Sequence, residues 1–109
     1  MELIPVIFPT EKEGYLKDLV YKTKDQVGVR CGTVVLKKGD RLPFKTLDYN
    51  EIAYLLSGKL SVYTKDGQKA EMNAGDMIYL DKEEIRETDT LEDSRILFFL
   101  FKQGNTKED

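Results

Sequence analysis

The segment of residues 39–58, GDRLPFKTLDYNEIAYLLSG, decides the fold that this chain is predicted to adopt. It opens and closes on glycine, and its second half contains the mostly apolar run Glu51–Leu56. Residues 75–90, GDMIYLDKEEIRETDT, open on the same Gly-Asp pair and continue directly into the apolar Met77–Leu80. Glycine and aspartate favour turns, whereas short apolar runs between turns favour strands. Both segments therefore predict short strands bounded by tight turns.

The same pattern extends on both sides of these segments. Short apolar or alternating runs at Val34–Leu36, Lys59–Thr64 and Arg95–Lys102 predict further strands. Asp66-Gly67 predicts a two-residue hairpin loop, because this dipeptide supplies the positive φ angles that such a loop needs. Several short strands at near-regular spacing are typical of an all-β sandwich or barrel.

The length of 109 residues suits one domain, residues 1–109. Within it, we expect residues 1–28 to supply an N-terminal covering segment and edge strands, and residues 29–102 to form the barrel. Residues 103–109 are polar and contain a glycine, so this tail is predicted to be disordered.

Composition excludes several classes of function. Seventeen basic against twenty acidic residues give a net charge of -3, and no basic stretch indicates nucleic acid or a membrane surface. No apolar run is long enough to span a bilayer, and the N-terminus lacks the features of a signal peptide. The single cysteine, Cys31, cannot form an internal disulfide and is interpreted as a small buried side chain. These features predict a cytoplasmic protein.

The glycine and glutamate spacing of residues 39–58 and 75–90 resembles the two motifs of the cupins. The resemblance implies a double-stranded β-helix, or jelly-roll barrel, in which the motifs normally supply three histidines and one glutamate to a metal ion. In this chain the corresponding positions are Lys45, Leu47, Glu51 and Arg86, and the chain contains no histidine. Because divalent transition metals favour imidazole or thiolate ligands, we expect neither a metal nor another cofactor.

A closer resemblance lies inside the first motif. Residues 46–52, TLDYNEI, and 55–60, LLSGKL, are similar to the EutQ-type cupins of ethanolamine utilisation, and the likeness extends over roughly residues 42–101. It implies that the missing histidines are a trait of the group. It also implies acetate kinase activity, which has been attributed to that family, although this chain contains no glycine-rich phosphate loop.

The four motif positions still predict a site. Lys45 and Arg86 beside Glu51 would give a pocket of net charge +1 that suits a small carboxylate or phosphate, with Arg86 as a bidentate donor. Glu51 could act as a general base, and Tyr49, two residues earlier, could donate a hydrogen bond. The alternative is that Glu51 merely forms a structural ion pair with Lys45 or Arg86.

Two classes of function therefore stay open. One is a non-catalytic module that binds a small anionic metabolite or a partner protein. The other is a metal-independent enzyme, an isomerase or lyase in which Glu51 moves a proton, or an acetate kinase by resemblance.

Two strands are apolar on both faces, which predicts self-association. In Glu51–Leu56 and in Arg95–Lys102, consecutive side chains are nearly all apolar, although a strand open to water should alternate. Residues Leu3–Phe8 could cover one outer face. A second subunit is the other candidate, and twofold dimers are the commonest assemblies, so we expect a homodimer.

Overall fold

The computed structural model describes residues 1–45 and 48–103, without the side chains of Lys45 and Gln103. The predicted disordered tail thus lies outside the described residues, except for the backbone of Gln103. A short 3-10 helix, Glu11–Glu13, precedes the strands. The strands in the described part of the chain are β1 (Leu16–Lys24), β2 (Val27–Leu36), β3 (Arg41–Lys45), β4 (Asn50–Thr64), β5 (Lys69–Asn73), β6 (Met77–Leu80) and β7 (Arg86–Gln103).

The strands pair antiparallel and form two layers joined by the long strands β4 and β7. In layer A, the order is β1, β2, residues 94–103 of β7, residues 50–57 of β4, and β6. In layer B, β3 pairs with the first part of β7, which pairs with residues 59–64 of β4, and β5 follows. Side chains of both layers form one hydrophobic core. This architecture confirms the predicted all-β jelly-roll barrel.

The two layers are joined at a corner around Gly58. The sequence predicted a break between two strands at this point, but β4 continues through it, with register shifts between Leu55 and Leu60. Gly58 has a φ of 98°, so the strand bends into the other layer instead of ending. Ser94 of β7 stabilises the corner, because its Oγ accepts a hydrogen bond from the Lys59 amide at 3.2 Å. Likewise β7 begins at Arg86, earlier than the predicted Arg95.

The hairpin predicted at Asp66-Gly67 is present, but its loop differs from the predicted form. Of the two residues only Gly67 has a positive φ, and its amide donates to the Thr64 carbonyl at 3.1 Å. This is the three-residue loop in which a turn is followed by a left-handed glycine. The two-residue loop with two positive φ angles occurs instead between β1 and β2, at Asp25 and Gln26.

The N-terminal segment crosses the outside of layer A. Thr33 of β2 donates its hydroxyl to the carbonyl of Ile7 at 2.6 Å, and the Arg95 guanidinium lies 4.9 Å from the centre of the Phe8 ring. No helix among the described residues is long and apolar enough to cross a membrane.

Candidate functional site

A cavity of about 230 Å³ lies between the two layers. It exists because alternate residues of each strand point inward, while the corners hold the layers apart. Most of its wall is apolar. The apolar residues include Val34, Ala53, Leu55, Val62, Ile96 and Phe98. Its exposed lining residues lie at the β1 and β3 edges, so the opening lies between these two strands. They are Tyr15, Leu16, Asp18 and Pro43.

The cavity contains an ion pair that joins the layers. Glu51 is in the layer A part of β4, where it is paired in register with Leu80 and Leu100. Arg86 is the first residue of β7 in layer B. The Arg86 Nη2 donates to Glu51 Oε1, and the two side chains are only 8% and 14% exposed. Two of the residues that the sequence predicted for the site are therefore in direct contact.

The ion pair leaves one strong donor unused. Nη1 of Arg86 is buried and finds no hydrogen-bond partner among the described residues. A buried guanidinium N–H without an acceptor carries a desolvation cost of about 1–3 kcal/mol or more. Because Arg86 lines the cavity, an acceptor atom of a bound molecule would remove this cost.

A second ion pair at the cavity was not predicted from the sequence. Arg30 Nη2 donates to Asp18 Oδ2 at 2.9 Å, and both residues line the cavity. Arg30 Nε is also buried without an acceptor in the described part of the chain. One feature of the sequence could have revealed this pair: Arg30 is the single charged residue of the otherwise uncharged strand β2. It shares the inward face of β2 with Gly32 and Val34.

The remaining predicted site residues are placed differently. Tyr49 packs against the hydrophobic core, with the Lys102 ammonium group 4.6 Å from its ring centre, and it is not one of the residues that line the cavity. The backbone of Lys45 pairs in register with Arg86. The Lys45 side chain and Leu47 lie outside the described residues.

These residues do not fit a divalent transition metal. The one carboxylate at the cupin ligand positions, Glu51, is bonded to the guanidinium of Arg86, which stands at another of those positions. A permanent cation beside the one acidic residue at these positions opposes metal binding. Among the described residues, no group of three or more histidine, cysteine, aspartate or glutamate side chains could hold a metal ion.

Cys31 is not part of the cavity lining. It is buried in β2, and its register neighbours in the adjacent strands are Val20 and Phe99. Burial raises the pKa of the Cys31 thiol, which disfavours the reactive thiolate.

Comparison with solved structures supports the fold. An ethanolamine utilization protein Q from Salmonella typhimurium LT2 is 25% identical, with a TM-score of 0.62, and the match covers 82% of this chain and 69% of that one. A cupin superfamily protein from Desulfitobacterium hafniense is 13% identical, with a TM-score of 0.61 and coverage of 80% and 77%. A protein of unknown function from Streptococcus pyogenes is 17% identical, with a TM-score of 0.64 and coverage of 80% and 72%.

No match was found among curated protein sequences. The model of one protein family, described as ethanolamine utilisation protein EutQ, matches residues 9–105. This match spans both motif segments and every strand of the two layers. The chain therefore belongs to the EutQ family and has the cupin fold.

Proposed function

We propose that this protein is a metal-free cupin of bacterial cytoplasmic metabolism that binds a small anionic metabolite, a carboxylate or a phosphate, in the cavity between its layers. The observation that carries the proposal is the buried Nη1 of Arg86, which lacks an acceptor among the described residues. Carboxylate and phosphate oxygens are the acceptors for which a guanidinium group is best suited. The description of the family, an ethanolamine utilisation protein, supports a place in small-molecule metabolism.

A screen of small carboxylates and phosphates by thermal shift, followed by calorimetry, tests the proposal. Arg86→Lys keeps the charge but removes the planar fork, so we expect it to weaken binding by about tenfold or more. Arg41→Lys is the matched control, because Arg41 forms exposed ion pairs with Glu87 and Asp89 and is not part of the cavity lining. An Arg86→Lys variant that binds every anion as tightly as the wild type would refute the proposed role of this guanidinium.

The Glu51 carboxylate competes with the ligand for Arg86. Glu51→Gln keeps an acceptor for Nη2 but removes the negative charge that faces an incoming anion. Because like charges placed side by side cost several kcal/mol, we expect the variant to bind the anion at least about tenfold more tightly. Calorimetry on the two proteins measures the difference. Weaker binding by Glu51→Gln would indicate that the carboxylate itself holds the ligand.

The alternative function is a metal-independent enzyme in which Glu51 moves a proton. The position of the Glu51 side chain, only 14% exposed and lining a mostly apolar cavity, is the observation that favours this alternative. The same Glu51→Gln variant separates the two functions, since an enzyme would lose turnover while retaining its ligand. The acetate kinase activity implied by the family resemblance remains a prediction that a phosphoryl-transfer assay can test.

We also propose that two copies of this chain form a dimer through the outward face of layer A. The register gives the residues that point away from the cavity in the layer A parts of β4, β6 and β7, and apart from Arg95, which lies against Phe8, they carry no charge. They are Ile52, Tyr54, Leu56, Met77, Tyr79, Leu97, Phe99 and Phe101. Leu56, Met77, Tyr79 and Phe99 are between 38% and 64% exposed. An exposed, uncharged apolar face of this kind is complementary to itself, as a twofold interface requires.

Size-exclusion chromatography with light scattering should give a mass of about twice 12.6 kDa for the wild type. Phe99→Glu would bury two carboxylates at such an interface, so we expect this variant to be monomeric. Phe44→Glu is the control, since Phe44 is also exposed but lies on β3 in layer B. A monomeric wild type at micromolar concentration would contradict the proposal.

A further inference from the structure

The cavity is polar at one end and apolar at the other, and from this we infer that its ligand is a linear aliphatic monocarboxylate of about six to eight carbons. The inference rests on the proposed function, because it assumes that the anionic head group of the ligand binds at Arg86. It adds that the rest of the ligand is a hydrocarbon tail, which excludes phosphates, sugars and acids with a second charge.

The inward residues of layer A form three successive rows across its strands. The first row contains Arg30, Leu100, Glu51 and Leu80, which are neighbours in register. The second row contains Gly32, Phe98, Ala53 and Ile78, with Asp18 at its β1 edge. The third row contains Val34, Ile96 and Leu55. The charged side chains of layer A therefore lie in the first row and at the β1 edge of the second row, whereas the third row is apolar.

Layer B also loses its charge in this direction, although Thr90 in its third row keeps a buried hydroxyl that has no partner among the described residues. Arg86 is paired with Thr64 in the first row, Thr88 with Val62 in the second, and Thr90 with Leu60 in the third. Rows are two residues apart, which is roughly 7 Å along a strand, so the first and third rows are separated by roughly 13 Å. The cavity thus has room for an extended chain that runs away from the charged row.

Both donors that lack an acceptor among the described residues and line the cavity belong to the charged row. They are Nη1 of Arg86 and Nε of Arg30. Adjacent strands are about 4.8 Å apart, so Arg30 and Glu51 are separated by about 10 Å at their backbones, with Leu100 between them. The Arg86 guanidinium comes from layer B. The Arg30 guanidinium comes from layer A at the β1 side of the cavity, where it is bonded to Asp18 and lies 5.2 Å from the centre of the Tyr21 ring. A carboxylate can accept a hydrogen bond from Nη1 of Arg86 with either of its two oxygen atoms.

The volume of the cavity sets the length of the tail. An apolar protein cavity of about 150 Å³ holds benzene, which has six carbon atoms, so about 230 Å³ corresponds to about nine non-hydrogen atoms. Three of these belong to the carboxylate, and about six remain for the tail. Its methylene groups would contact Phe98, Ala53 and Leu55, whereas a second polar group would lose its hydrogen bonds to water at the apolar end.

The test measures dissociation constants by calorimetry for acetate, butyrate, hexanoate, octanoate and decanoate, with inorganic phosphate and hexanamide as probes of the head group. Burial of each methylene group should tighten binding about fourfold, so we expect hexanoate to bind roughly 200 times more tightly than acetate. Decanoate exceeds the volume of the cavity, so its last carbon atoms cannot be buried and it should bind no more tightly than octanoate.

The other outcomes separate the two proposals. If acetate or phosphate binds within a few-fold of hexanoate, the inference about the tail is wrong and the proposed anion-binding function stands. If hexanamide binds as tightly as hexanoate, the inference about the hydrocarbon tail holds, but the proposal that the head group must be an anion is wrong. If no carboxylate, phosphate or amide binds, the proposed function fails and the inference fails with it.

Ala53→Leu provides an independent test inside the same series. It adds three carbon atoms to the middle row, where the cavity has space, and should shorten the preferred acid by about three carbons. If the Ala53→Leu variant does not fold, the same series of acids is measured with Ala53→Val, which adds two carbon atoms at this position. Ala74→Leu, in the exposed turn between β5 and β6, is the control and should leave the chain-length profile unchanged. An unchanged profile in folded Ala53→Leu or Ala53→Val would overturn the inference.

Discussion

Replacement of Gly58 by alanine is expected to destabilise the protein by about 2–5 kcal/mol. Two costs add at this position. The φ of 98° is a backbone conformation that an L-residue adopts only with strain. The new Cβ would also collide with Ser94 Oγ and the Asp93 carbonyl, and would lie 2.7 Å from the Ser94 Cα. Urea unfolding at a fixed protein concentration measures the loss.

Gly75→Ala separates the two costs. Gly75 has almost the same φ, 96°, but an added Cβ there has no neighbour within 4 Å in the described structure. We therefore expect Gly75→Ala to cost only the backbone strain, about 1–2 kcal/mol. If Gly58→Ala is no more destabilised than Gly75→Ala, the close packing of the corner against β7 does not contribute to stability.

Removal of one partner of the buried ion pair should have an effect of similar size. Arg86→Met leaves the Glu51 carboxylate buried without its counter-charge, and such changes typically cost about 3–5 kcal/mol. A domain of this size has a total stability of about 5–15 kcal/mol, so the variant loses a large part of it. Chemical denaturation of the wild type and the variant gives the difference.

The double variant Glu51→Leu/Arg86→Met completes the measurement. Replacement of both charged residues by apolar ones of similar volume removes the desolvation cost of the pair, so we expect the double variant to recover most of the wild-type stability. The coupling free energy of the cycle then describes the contact itself. Two single variants with small and additive effects would mean that the pair is not buried in solution.

Much of the fold was predictable because its signals are local. Strand alternation and turn residues are properties of a few neighbouring positions, and they predicted the all-β fold and the strand Met77–Leu80 correctly. The corner at Gly58 was predicted wrongly as the end of a strand. A glycine permits both outcomes, and the choice depended on the fit of its backbone against Ser94 on β7.

The candidate site was predicted only in part. Glu51 and Arg86 were recognised through the motif spacing, and they are in contact although they are 35 positions apart. Arg30 and Asp18 were missed, since neither lies in a motif. Their place at the cavity depends on the pairing of β1 and β2 beside β7. No pattern within a single strand carries that information.

The sequence by itself determined which chemical groups are available: two apolar-rich motif strands, one glutamate at the ligand positions and no histidine. Those are properties of the side chains and of their immediate neighbours in the chain. Only the tertiary structure decided that Arg86 is bonded to Glu51 across the layers and that its second terminal nitrogen is left without an acceptor among the described residues. Such contacts arise when distant strands are brought together around a shared core, so they depend on how the layers close and not on the local sequence.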